Sequence, residues 1–179
     1  MYEWIPARQN KTAEKMMLLL FGGAFSVFFL TVIVSGIPFR WLFQLLGIGL
    51  FVAAIFLFTR YRGKKFIYRV IEDGEGGWDL TVTETAANGK RPVTVCRVGL
   101  SGLCELTVLD LSDGGASTAS MNAIKKKRKK IYDYSVDFRP TRSVMAVFSE
   151  GGQEFTLRLS PVEELTAILK SWVAREAEE

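Results

Sequence analysis

Residues 16–39 read MMLLLFGGAFSVFFLTVIVSGIPF, and this uncharged stretch decides the architecture of the chain. A second uncharged stretch, WLFQLLGIGLFVAAIFLFT, follows Arg40. A helix needs about 20 apolar residues to cross the hydrocarbon core of a membrane. Two adjacent stretches of this kind are hard to bury inside a globular chain of 179 residues. We therefore predict transmembrane helices over residues 16–37 and 38–59 rather than two buried helices of a soluble protein.

The connection between the two stretches, residues 35–41, contains Gly36 and Pro38 and predicts a tight turn. Seven basic residues flank the outer ends of the helices, whereas only Arg40 lies in the turn. These seven are Arg8, Lys11, Lys15, Arg60, Arg62, Lys64 and Lys65. The positive-inside rule then places both termini, including the N-terminal segment 1–15, in the cytoplasm. We predict a multi-pass protein of a bacterial cytoplasmic membrane, and the length of the first stretch disfavours a cleaved signal peptide.

Each stretch carries a pair of small residues four positions apart, Gly22 with Ser26 and Gly49 with Ala53. Small residues at this spacing allow membrane helices to approach closely. The favoured interpretation is that they pack the two helices of the hairpin together, and the alternative is that they join copies of the chain into a homo-oligomer. No ionisable residue lies inside either stretch, which predicts a membrane anchor rather than a channel or transporter.

Residues 60–179 predict one cytoplasmic domain that consists mainly of β-strands. Seven segments alternate between apolar and polar residues or are rich in β-branched and aromatic residues, and Asn88-Gly89 is typical of a tight hairpin turn. The segments are 65–71, 78–85, 91–98, 103–109, 131–138, 144–148 and 153–159. Ser160-Pro161 with two following glutamates then predicts the start of a helix, in which apolar residues recur at helical spacing as far as Val173.

This order of elements, a hydrophobic hairpin, four strands, three strands and a closing helix with Trp172, resembles the bacterial membrane proteins that carry a pleckstrin-homology-like (PH-like) domain. The YcxB-like membrane proteins of Gram-positive bacteria have the same outline. Both resemblances cover nearly the whole chain. They imply a membrane α-helical hairpin plus an α+β, mainly β PH-like domain, with a seven-stranded barrel or sandwich that the C-terminal helix closes.

PH domains that bind phosphoinositides use basic residues on the first strand and in the loop after it. Lys64, Lys65 and Arg69 lie in or before the first predicted strand, but the following residues 72–75 read EDGE. An acidic loop would repel a phosphorylated headgroup. The resemblance therefore implies a scaffold or interaction domain.

The stretch 110–130 lacks any periodicity and predicts a mobile loop. It ends in six adjacent basic residues, Lys125, Lys126, Lys127, Arg128, Lys129 and Lys130. Attraction to an anionic lipid surface or to an acidic protein is one interpretation, and a solvated loop without a role is an equally favoured one. Nucleic-acid binding is disfavoured, because no aromatic residue within the run can stack on bases.

The chain has no histidine, which excludes catalytic triads and metal sites that need one. Cys96 and Cys104 lie eight positions apart without the spacing of a metal or redox motif, so we expect reduced thiols. The glycines of the 74–77 turn do not open a helix, as a phosphate-binding loop would. We predict no catalytic residue, no metal, no cofactor and no enzymatic activity.

The predicted function is to present a non-catalytic interaction domain at the cytoplasmic face of the membrane. An unknown protein partner would bind by strand addition or in a groove between the sheet and the C-terminal helix. One alternative is a module that senses anionic lipids, for which Lys64, Lys65, Arg69 and the 125–130 run would have to share one face. A second alternative is an accessory subunit of a membrane complex that docks through the hairpin.

Overall fold

The computed structural model describes residues 1–34, 38–74, 76–110 and 130–176. Two helices of 22 residues each, α1 (Thr12–Ile33) and α2 (Arg40–Tyr61), pack against each other as a hairpin. Both are long and apolar enough to cross a membrane. The prediction of a hairpin of two long apolar helices is confirmed, although both helices extend toward the domain beyond the predicted limits. Residues 35–37 of the predicted turn lie outside the described residues.

The two helices contact each other through small residues that differ from the predicted ones. Apart from Ala13 at the start of α1, the buried positions recur every seven residues, at Met17, Ala24 and Thr31 in α1 and at Gly47 and Ala54 in α2. This spacing keeps one face of each helix against its partner.

Gly22, Ser26, Gly49 and Ala53 are exposed, and a Cβ atom added to either glycine would meet no atom within 4 Å. The prediction that these four residues pack the hairpin is therefore wrong. Each residue turns a helix by about 100°, so small residues only one or two positions away take up the contact instead.

Ten elements form the remainder of the described chain. They are β1 (Tyr2–Trp4), β2 (Lys64–Glu72), β3 (Trp78–Ala86), β4 (Val93–Gly99), a 3₁₀ turn (Leu100–Gly102), β5 (Leu103–Asp110), β6 (Ile131–Asp133), β7 (Arg142–Glu150), β8 (Gln153–Leu159) and the helix α3 (Glu163–Glu176). The strands form two four-stranded sheets with the orders β1-β2-β3-β4 and β5-β7-β8-β6. All pairs are antiparallel except β6 with β8.

The prediction of β-strands followed by a C-terminal helix is confirmed, but two details of the sheet were wrong. Within the described residues there are eight strands rather than seven. Of the predicted barrel or sandwich, these residues form two sheets and no closed barrel. The extra strand is β1, where Tyr2 pairs with Val70. The predicted strand 131–138 ends at Asp133, because the Asp133 carboxylate accepts hydrogen bonds from the N–H and the hydroxyl of Ser135 and turns the chain.

One hydrophobic core lies between the two sheets and α3. The largest fully buried side chains include Tyr68 of β2, Phe148 of β7, and Leu165 and Leu169 of α3. Only Arg62 and Gly63 separate α2 from β2, so the core begins directly beside the hairpin. The end of the domain at Lys64, where the hairpin joins it, is called the hairpin end below.

Candidate site at the hairpin end of the domain

The segment that leads into α1 is bound to the second sheet. The backbone N–H groups of Gln9 and Asn10 donate to the carboxylate of Asp137, over 2.9 Å and 3.4 Å. Asp137 is only 3% exposed. The Gln9 side chain donates to the carbonyl of Arg142 and accepts its N–H, both over 2.9 Å. Gln9, Asn10 and Asp137 are called the linker clamp, since they join the start of the hairpin to the domain.

Guanidinium groups hold the end of α2 in the same region. Arg60 donates to the carbonyl of Asp133 over 2.7 Å, and its guanidinium lies 5.2 Å from the ring centroid of Phe66. Arg62 forms an ion pair with Glu14 of α1, and Arg8 donates to the carbonyl of Tyr61. Both ends of the hairpin are thus connected to the domain by more than the covalent chain.

A cavity of about 240 Å³, called the foot cavity below, opens beside these contacts. Three basic residues line it, namely Arg8, Lys64 and Lys65. Its remaining walls are apolar and come from Ile5, Pro6, Phe66 and Val136. Lys64 pairs with Glu84 over 2.7 Å, whereas Lys65 is exposed and has no carboxylate partner among the described residues.

The structure brings together only part of the predicted basic face. Arg69 pairs with Glu3 of β1 over 2.7 Å. It lies four residues beyond Lys65 on β2, about 13 Å along the strand, and does not line the foot cavity. Lys130 is exposed just before β6, and its carbonyl accepts the N–H of Thr156 over 3.0 Å.

The rest of the basic run, Lys125, Lys126, Lys127, Arg128 and Lys129, lies outside the described residues, as does the larger part of the predicted mobile loop 110–130. Whether the run joins Lys64 and Lys65 on one face stays a prediction. Sequence reasoning missed Arg8 as a partner of these two lysines. The one sequence feature that pointed to Arg8 was its position among the basic residues that flank α1.

A buried tyrosine, Tyr68, connects three segments of the chain at the hairpin end of the domain. The Tyr68 hydroxyl donates to the carbonyl of Tyr134 over 2.8 Å and accepts the N–H of Ser160 over 3.0 Å. Burial raises the pKa of Tyr68 to about 12. The hydroxyl thereby connects β2 to the segments that follow β6 and β8.

Two further cavities lie on the domain. A groove of about 430 Å³ runs between α3 and the β5–β7 pair, with Val108, Arg142 and Lys170 among its lining residues. A smaller cavity of about 230 Å³ contains Tyr2, Trp78 and Trp172 and lies toward the far end of β2. The predicted groove between sheet and helix is therefore present, while its occupant stays a prediction.

The thiols and carboxylates of the described residues offer little chemistry. Cys96 is half-buried and burial raises its pKa, which disfavours the reactive thiolate, and Cys104 is exposed. No group of three Cys, Asp or Glu residues with metal-site geometry occurs within the described ranges.

Comparison of the chain with protein-family models, with curated proteins and with solved structures found no match. The PH-like and YcxB-like assignments thus remain predictions from the order of the elements. The coarser description, a hairpin of two long apolar helices joined to a two-sheet α+β domain, rests on the structure itself.

Proposed function

We propose that this protein is a non-catalytic membrane protein whose hairpin presents a PH-like interaction domain at the cytoplasmic face in one fixed orientation. The observation that carries the proposal is the linker clamp. A domain that needs only to stay near a membrane can be attached to its anchor by a flexible linker. Here the buried Asp137 carboxylate holds the entry to α1, and only two residues separate α2 from β2.

A fixed orientation matters for a protein that presents a binding surface. A partner that is itself bound to the membrane meets the same face of the domain at each encounter, which lowers the orientational cost of association. The groove between α3 and the β5–β7 pair is the largest described cavity on the domain. It is our candidate for the surface that a protein partner recognises.

The cytoplasmic placement is tested by labelling of thiols in intact cells. Cys104 is exposed and belongs to the domain, so a membrane-impermeant maleimide should label it only after the cells are permeabilised. The matched control is Arg40→Cys in a background with both native cysteines replaced by serine, because Arg40 begins α2 at the opposite end of the hairpin. This control should react in intact cells. The reverse pattern of labelling would contradict the proposed topology.

The partner surface is tested by a photo-crosslinking amino acid at Lys170, an exposed residue of the groove. The same probe at Lys90, an exposed lysine outside the groove, is the control. A discrete protein adduct from position 170 that is absent from position 90 would support the interaction domain. Lipid adducts alone, or equal adducts from both positions, would contradict it.

The accessory-subunit hypothesis keeps one observation in its favour. Gly22 and Gly49 lie on the outer surface of the hairpin, where another membrane helix can approach them. Replacement of both glycines by leucine would then abolish function and leave membrane insertion intact. Variants of normal activity would contradict docking through the hairpin.

A further inference from the structure

We propose that the foot cavity binds the phosphate of an anionic phospholipid from the leaflet that faces the domain. The proposal rests on the membrane topology given above. It adds a ligand and a site that differ from the groove beside α3. It also differs from the turn after β2, where the acidic residues of the sequence EDGE at 72–75 would repel a headgroup.

The position of the foot cavity suits a lipid headgroup. Lys64 follows the last residue of α2 by three positions, and Arg8 precedes the first residue of α1 by four. The headgroup region extends about 5–8 Å beyond the hydrocarbon core. Extended chain covers about 3.3 Å per residue, so the basic side chains of the cavity are within reach of that region.

The charge of the foot cavity suits an anion. Among the residues that the structure describes, its lining contains three cations and no carboxylate. Glu84, which does not line the cavity, forms an ion pair with Lys64. The single carboxylate of Glu14 forms ion pairs with both Arg8 and Arg62. Lys65 remains unmatched among the described residues, so these ion pairs leave an excess of positive charge. A phosphodiester carries one negative charge and accepts hydrogen bonds from ammonium and guanidinium groups.

The remaining walls of the foot cavity distinguish a lipid from a soluble anion. Ile5 and Val136 present apolar surface beside the cations, and Ile5 is 67% exposed, whereas Pro6 and Phe66 also line the cavity but are buried. A soluble phosphate would gain nothing from this surface. The glycerol and first acyl carbons of a phospholipid can pack on it while the phosphate meets the basic groups. We therefore assign the cavity to a phospholipid rather than to free phosphate.

The test uses the full chain reconstituted in vesicles with equal amounts of phosphatidylglycerol and phosphatidylcholine. The protein is extracted in mild detergent, and the lipids that remain bound are measured by mass spectrometry. Wild type should retain phosphatidylglycerol in preference to phosphatidylcholine. Lys65→Gln should lower the retained phosphatidylglycerol about fivefold, because one basic group near an anionic lipid is removed. Lys65 is exposed and has no ion-pair partner in the part of the chain that the structure describes, so its replacement leaves the packing of the domain unchanged.

Lys90→Gln is the matched control, because Lys90 is an exposed lysine of the β3–β4 turn that does not line the foot cavity. It should retain phosphatidylglycerol as wild type does. Equal retention by Lys65→Gln and wild type, or equal losses in both variants, would overturn the proposal. So would displacement of the lipid by millimolar inorganic phosphate. Thiol labelling reports the topology separately, so a confirmed topology with a failed lipid test would remove only this inference.

Discussion

Replacement of Tyr68 by phenylalanine tests the polar contact that holds the hairpin end of the core. Tyr68 is fully buried, and its hydroxyl is paired with the Tyr134 carbonyl and the Ser160 N–H. The phenylalanine variant keeps the ring and leaves both backbone groups without this partner. A buried unsatisfied group costs about 1–3 kcal/mol. We expect the free energy of unfolding to fall by about 3 kcal/mol at pH 8.

Tyr134→Phe is the matched control for this experiment. Its hydroxyl donates to the carbonyl of Val95 over 3.3 Å, at a position where water can take its place. Net contributions of such hydrogen bonds are about 0.5–1.5 kcal/mol, and we expect a loss at the lower limit. Equal losses from the two variants would refute the assignment of the larger effect to the buried hydroxyl.

The Tyr68→Phe substitution should also change how the free energy of unfolding depends on pH. The pKa of Tyr68 is about 12 in the folded protein, against about 10 for an unfolded tyrosine. Between these values the unfolded state has released the proton that the folded state still holds, so the stability of wild type falls as pH rises. A difference of two pKa units corresponds to about 2.7 kcal/mol. The stability difference between wild type and Tyr68→Phe should therefore narrow from about 3 to below about 1 kcal/mol by pH 12.

The assay is denaturant unfolding of the detergent-solubilised full chain, followed by tryptophan fluorescence at pH values from 8 to 12. Trp78 and Trp172 pack against the core of the domain and report its unfolding. Tyr134 also has a pKa raised to about 12, but it is present in both proteins and its titration cancels in the comparison. A stability difference that stays constant across this range would refute the proposed titration of Tyr68.

Two further substitutions test the hairpin and its connection to the domain. Gly47→Leu should loosen the helix contact, because a Cβ at this position would lie 3.0 Å from the Phe28 ring, whereas Gly49→Leu should not. Thermal unfolding in detergent compares the two, and equal midpoints would contradict the observed packing. Asp137→Ala should destabilise the domain by about 2–3 kcal/mol and speed hydrogen exchange at the Gln9 amide. Unchanged exchange there would show that the clamp does not hold the linker.

The sequence alone determined the elements whose signals are local. The two uncharged stretches predict the hairpin because length and apolarity suffice for a membrane helix, whatever the rest of the chain does. The segments 65–71 and 153–159 likewise predict strands by alternation, and Ser160-Pro161 predicts the start of α3. The basic residues Lys64 and Lys65 were also singled out from the sequence.

Only the tertiary structure decided which of these residues meet. A strand of three residues such as β1 has no periodicity to detect, and it forms because β2 offers an edge with which to pair. The pairing of β1 with β2 also places Glu3 beside Arg69. The resulting ion pair neutralises Arg69, which therefore does not contribute to the predicted basic face. Arg8 lies beside Lys64 and Lys65 because the next residue, Gln9, is bound by Asp137, which is more than 120 positions away in the chain. Such contacts depend on residues far apart in the chain, and local composition carries no information about them.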